Sequence, residues 1–188
     1  MNARRPMLAI VGDAGAQRDS ETWRAASDLG RLAVDHGYRV ICGGMGGVME
    51  AACQSAHASP VYREGDTVGI LPVGDPSWAN PWVDIVLATH LDTGRNALVA
   101  NADAVVAVGG GAGTLSEIAY AWQFKRLIVA LDVPGWGRRL AGERVDHRLR
   151  YEEISDDQVF LARDAAEAIA ILAVRLGQYS KRYAGFGR

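Results

Sequence analysis

The chain has 188 residues, 49% of them hydrophobic, and a formal net charge of −2. That size suits one domain, 1–188, with a buried core, and the small charge argues against nucleic acid or an anionic membrane as partner. Apolar runs of about five residues exclude a bilayer-spanning helix, and Met7–Val11 is too short for a secretory signal, so a cytoplasmic protein is expected.

In chain order, the first apolar run is Met7–Val11, followed by the turn Gly12-Asp13-Ala14-Gly15-Ala16. Trp23, Ala26, Gly30 and Ala33 then recur at helical spacing behind an N-cap at Asp19 or Ser20. A second run, Val40–Cys42, enters Gly43-Gly44-Met45-Gly46-Gly47 and a second helix. Val68–Leu71 and Ile85–Ala88 flank a loop, Pro72–Pro81, that holds three prolines. Ala104–Val108 runs into Gly109-Gly110-Gly111-Ala112-Gly113-Thr114, with a helix expected from Leu115 carrying Ile118, Ala119 and Trp122 on one face. After Leu127–Leu131, Pro134–Arg150 holds five arginines and reads as a solvated, mixed-charge loop. Ile169, Leu172, Ala173 and Leu176 mark a last helix, and 178–188 reads as a flexible tail.

The apolar runs lack polar alternation, as strands buried on both faces of a parallel sheet do. Their alternation with helices predicts an α/β, Rossmann-like, doubly wound and mainly parallel sheet of about six to seven strands, with helices on both faces. Such sheets bind ligands at the carboxyl ends of their strands. Gly110, Gly111, Ala112, Gly113 and Thr114 therefore read as a backbone cradle for a phosphate, with a helix N-terminus aimed at the anion. It is not a Walker A loop, since no Gly-Lys-Ser/Thr follows, nor the dinucleotide fingerprint, which belongs to the first βα turn. Gly12 and Asp13, Gly43, Gly44, Met45 and Gly46, and Asn96 form the predicted nucleotide pocket around that cradle.

Two charged residues lie near these loops in the chain. Glu117, three residues after Thr114, fits either a capping box or a carboxylate set beside the anion. Arg95 fits either a surface arginine or a forked phosphate donor. Cys42 and Cys53 form no C-x-x-C pair and read as reduced core thiols; no metal site is expected, and the four histidines show no ligand spacing. The only lysines are Lys125 and Lys181.

The order Gly43-Gly44-x-Gly46-Gly47-Val48-Met49, Arg95, Gly110-Gly111-x-Gly113-Thr114-x-x-Glu117 resembles the Lonely Guy (LOG) family, long labelled "possible lysine decarboxylase". The likeness spans roughly residues 7 to 131. It implies a Rossmann-like fold, a homodimer or higher homo-oligomer, and a phosphoribohydrolase. Such an enzyme cleaves the N-glycosidic bond of a nucleoside 5′-monophosphate to free base and ribose 5-phosphate. The resemblance makes Arg95 and Glu117 catalytic and gives the phosphate to the Gly110–Thr114 loop, with no cofactor required. Three positions depart from the hydrolase pattern: Gly109 stands for proline, Asn96 for lysine and Ser116 for glutamate. The wording Arg95-Asn96, Gly109-Gly110-Gly111 and Ala79-Asn80-Pro81 is similar to a bacterial branch related to an algal molybdenum cofactor carrier. The alternative expectation is thus a non-catalytic carrier of a nucleotide or pterin-type ligand. Decarboxylation is not expected, because a pyridoxal phosphate enzyme needs a lysine in its site and neither lysine is placed for it.

Overall fold

The computed structural model describes residues 4–180. Seven strands form one sheet in which every pairing is parallel: β1 (Met7–Gly12), β2 (Arg39–Cys42), β3 (Thr67–Leu71), β4 (Ile85–Ala88), β5 (Ala104–Val108), β6 (Leu127–Leu131) and β7 (Val159–Ala162). Their order is β4-β3-β2-β1-β5-β6-β7. Six of the strands are the six apolar runs of the sequence. The seventh, Val-Phe-Leu-Ala, is an apolar run as short as that of β4 and was not among the strands expected; its Leu161 is exposed.

The central strands are apolar throughout because each faces a helical layer on both sides. On β1, Leu8 and Ile10 point into one core and Ala9 and Val11 into the other. The first core is covered by α1 (Glu21–Asp35), α2 (Val48–Ala56) and α6 (Ala165–Arg175). The second lies under α3 (Asn96–Ala100) and α4 (Ala112–Gln123), with α5 (Trp136–Leu140) against α4. Strand β4 departs from the two-face expectation: Ile85 and Leu87 are about half exposed, because it is an edge strand left partly uncovered.

Ser20, not Asp19, caps α1, its side chain accepting the Trp23 N–H at 3.1 Å. Glycine sets the α1–α2 spacing: a Cβ on Gly30 would lie 2.1 Å from the Ala52 carbonyl oxygen. The backbones therefore touch where any side chain would separate them.

Two surface expectations are overturned. Arg150, expected in a solvated loop, is 6% exposed and forked onto Asp157, itself 3% exposed. Tyr179, expected in a loose tail, is 3% exposed and donates to Asp157 at 2.8 Å. In both cases a satisfied buried network outweighs the polarity of the local sequence. The rest of the expected tail, 181–188, lies outside the described residues. Among the described residues no helix is long and apolar enough to cross a membrane.

Candidate functional site

The strand order reverses between β1 and β5, so their carboxyl ends sit side by side at the switch point of the sheet. A cleft of ≈ 110 Å³ opens there, walled by Gly12 at the end of β1 and Ala14 beyond it, Gly43 and Met45 after β2, Met49 of α2, Arg95 and Asn96, and Gly113, Thr114 and Glu117 of α4.

Helix α4 starts at Ala112, earlier than expected, with Gly111 as an N-cap that offers no side-chain bond. Its first N–H groups are therefore left for solvent or a ligand; Gly111, Ala112 and Gly113 are exposed, and of the expected cradle Gly113 and Thr114 line the cleft while Gly110, Gly111 and Ala112 do not. Gly110 holds φ +88°, and a Cβ there would lie 2.1 Å from the Thr114 hydroxyl, so glycine is needed twice over. The turn after β6 backs this loop: the Trp136 N–H donates to the Gly110 carbonyl at 3.0 Å, and Gly135 lies against Gly109 closely enough to exclude a Cβ. Gly135 fell in the segment read as a surface loop; a Pro-Gly pair just after a strand was the available signal.

The capping-box reading of Glu117 is corrected. The N-cap is Gly111, so Glu117 is a turn too far along, and its side chain turns instead toward Arg95. Arg95 ends the short 3-10 turn Asp92–Arg95 and reaches across with Nη1 3.2 Å from Glu117 Oε1. Both side chains are more than nine-tenths buried. Burial pushes the Glu117 carboxyl from its ordinary 4.5 up to about 7, against the opposing pull of Arg95. Arg95 Nε is buried with no hydrogen-bond partner. An unmet donor in a cleft wall is a reserve of binding energy, since leaving it unpaired costs about 1–3 kcal/mol that an acceptor on a ligand returns.

Gly43 makes room for that arginine: a Cβ would sit 2.5 Å from both terminal guanidinium nitrogens. The loop it begins is held by Asn80, whose backbone N–H and side-chain amide donate to the Gly44 carbonyl at 2.8 and 3.2 Å. The same amide donates to the Met45 carbonyl at 2.8 Å. In the sequence Asn80 stands out only as part of Ala79-Asn80-Pro81; that it bridges segments 35 residues apart is visible only in the fold. Two of the three departures from the hydrolase pattern face one another. Asn96 Nδ2 donates to Ser116 Oγ at 2.8 Å, a neutral pair beside the charged one.

Other expected site residues play supporting parts. The Asp13 side chain is exposed and closes its own turn onto the Gly15 N–H at 2.8 Å, while its carbonyl accepts the Val48 N–H. Gly44 and Gly46 shape the loop without lining the cleft. Lys125 lies just before β6, at the end of the sheet opposite the cleft, with its ammonium over Tyr151. Lys181 is outside the described residues. His57 stacks on Tyr62 with ring centroids 4.1 Å apart, away from the cleft.

A parallel sheet with a glycine-walled, arginine-bearing cleft at its switch point defines a Rossmann-like protein of the LOG and SLOG kind. Residues 5–169 match the SLOG cluster4 family (LDcluster4), and the chain belongs to that family. An uncharacterized protein of Archaeoglobus fulgidus is 38% identical over 129 residues, 68% of this chain and 82% of that one. Among solved structures, the molybdenum cofactor binding protein of the phototrophic bacterium Rippkaea orientalis is 29% identical, with a TM-score of 0.74 over 92% of this chain and 98% of that one. The molybdenum cofactor carrier protein of Chlamydomonas reinhardtii is 27% identical, with a TM-score of 0.71 over 92% and 99%.

Proposed function

We propose that this chain binds and carries a phosphorylated small molecule of the pterin type, such as the molybdenum cofactor, without breaking a bond in it. One observation carries the reading: among the described residues Glu117 is the one carboxylate lining the cleft, and it is already engaged by Arg95. Glycoside cleavage ordinarily draws on two carboxyl groups, one to protonate the leaving group and one to assist attack. Here the flanking positions 96 and 116 form a neutral amide–hydroxyl pair instead.

The residues present fit such a cargo. Its phosphate would take the N-terminus of α4, as an anion does at any open helix start. The unmet Arg95 Nε would donate to it or to a neighbouring oxygen. Met45 and Met49 offer soft, adaptable walls to a flat ring system. The two solved relatives, a molybdenum cofactor binding protein and a molybdenum cofactor carrier protein, support this reading over most of both chains.

A second reading keeps the hydrolase. A buried carboxyl near 7 beside an arginine is also what a general acid–base group near neutral pH needs. One experiment separates the two. The purified chain is incubated with molybdenum cofactor and, separately, with nucleoside 5′-monophosphates; melting temperature and free base are followed. The carrier reading expects a raised melting temperature with the cofactor recovered intact, and base release no faster than in Glu117→Gln. Base release that disappears in Glu117→Gln establishes the phosphoribohydrolase instead.

A further inference from the structure

Cys42 closes β2 and Cys53 lies on α2 above it. Both are sealed from solvent, and their sulfurs are 3.6 Å apart. A disulfide holds its sulfurs about 2.05 Å apart, so closure needs an approach of about 1.5 Å. That approach would not be local. Cys42 Sγ accepts the N–H of Gly44 at 3.3 Å. Gly44 is the residue whose carbonyl Asn80 holds, and its neighbours Gly43 and Met45 wall the cleft. The state of the sulfur is thus one hydrogen bond from the cleft wall.

We propose that Cys42 and Cys53 are a redox-active dithiol whose closure to a disulfide displaces Gly44 and reshapes the ligand cleft. The two thiols are unequal. Hydrogen bonds from Cys53 and the Gly44 amide hold Cys42 below its ordinary value, and that interaction and burial push Cys53 up. The Gly44 N–H that Cys42 Sγ accepts stabilises a thiolate there, so Cys42 is the attacking thiol and Cys53 the resolving one. With hydrogen peroxide as oxidant, the Cys42 thiolate attacks one peroxide oxygen and the O–O bond breaks. Cys42 becomes a sulfenic acid, and hydroxide takes up the thiol proton to leave as water. Cys53 sulfur then attacks Cys42 sulfur; the S–S bond forms, the S–O bond breaks, and a second water leaves with the Cys53 proton. Two sulfurs give up two electrons and one peroxide becomes two waters. The consequence for cargo rests on the carrier reading: the reduced chain holds its ligand and the oxidised chain releases it. The dithiol chemistry itself does not depend on that reading.

The full chain is treated with hydrogen peroxide at one to ten equivalents, alkylated under denaturing conditions and weighed. Amide hydrogen exchange is followed across residues 43–48 in both states. The proposal expects loss of two hydrogens, no alkylated cysteine, a linked peptide holding Cys42 and Cys53, and Gly44 exchange at least tenfold faster once oxidised. In Cys53→Ala the chemistry stops before the second step, so peroxide should add oxygen to Cys42 and form no linked peptide. Two alkylatable thiols surviving peroxide, over-oxidation with no linked peptide, or a disulfide with unaltered Gly44 exchange each overturn the proposal. None of these readouts involves a ligand, so failure here and failure of the carrier reading are told apart.

Discussion

Arg95 and Arg150 are both buried against a carboxylate, at 9% and 4% side-chain exposure, yet their surroundings are opposites. Arg150 is complete. Nε and Nη2 fork onto Asp157, Nη1 donates to the Trp122 and Arg126 carbonyls at 3.2 and 3.0 Å, and the guanidinium lies 3.6 Å over the Trp122 ring. Arg95 makes one 3.2 Å contact, leaves Nε unmet, and faces a carboxyl that burial keeps near neutrality. Burial alone therefore does not separate these two arginines; completeness of hydrogen bonding does. The Arg150 network is finished and locks the fold, whereas that of Arg95 is left for a ligand to finish.

Substitutions should separate the two arginines. The largest effect is expected from Arg150→Met, which strands Asp157 in the core and should cost about 3–5 kcal/mol in urea denaturation. A loss below about 1 kcal/mol would collapse the contrast by showing the network to be ornamental. Arg95→Met should behave the other way. At pH 6 the Glu117 left behind takes up a proton, so stability should move by less than about 1 kcal/mol while affinity for the phosphorylated ligand falls at least tenfold. Equal affinity in calorimetry would remove Arg95 from the binding site.

Gly43→Ala sharpens the point from the backbone side. Its Cβ would meet the guanidinium of Arg95 rather than main chain, so the arginine is displaced and affinity should fall about tenfold with a folding cost near 1 kcal/mol. A variant that binds normally would mean that Arg95 finds another route to the ligand.

The smallest effect is the pH dependence. The folded chain raises the Glu117 value from 4.5 to about 7. The native state therefore binds this proton more tightly than the unfolded one. Its stabilising contribution is full below pH 4.5 and is lost as pH rises to about 7. Protonation also removes the negative charge facing the ligand. Affinity for a phosphorylated ligand should fall several-fold as pH rises through 7, on top of the ligand's own titration, and Glu117→Gln should abolish that extra slope. Identical slopes in the two proteins would show that Glu117 keeps its charge throughout.

The parts of this molecule legible in the sequence are those that short-range pattern controls. An apolar run of five residues needs only to be buried on both faces to be a parallel strand, and six of seven strands read that way. A glycine cluster directly after a strand marks a place where backbone meets ligand or backbone, and the clusters after β2 and β5 both wall the cleft. The edge exposure of β4, the burial of Arg150 and the clamp by Asn80 left no such trace. Each depends on which segment happens to lie alongside.

The sequence by itself thus determined the strands, the parallel α/β class, the glycine loops and a list of residues able to hold a phosphate. The tertiary structure decided which of those residues meet. Arg95 and Glu117 are 22 residues apart in the chain, on segments that precede and follow β5. Only the strand order, which sets β5 beside β1, brings both to the floor of one cleft and strips them of water. Local pattern is written in neighbours three or four residues apart, whereas desolvation of a charged pair depends on everything that closes over it.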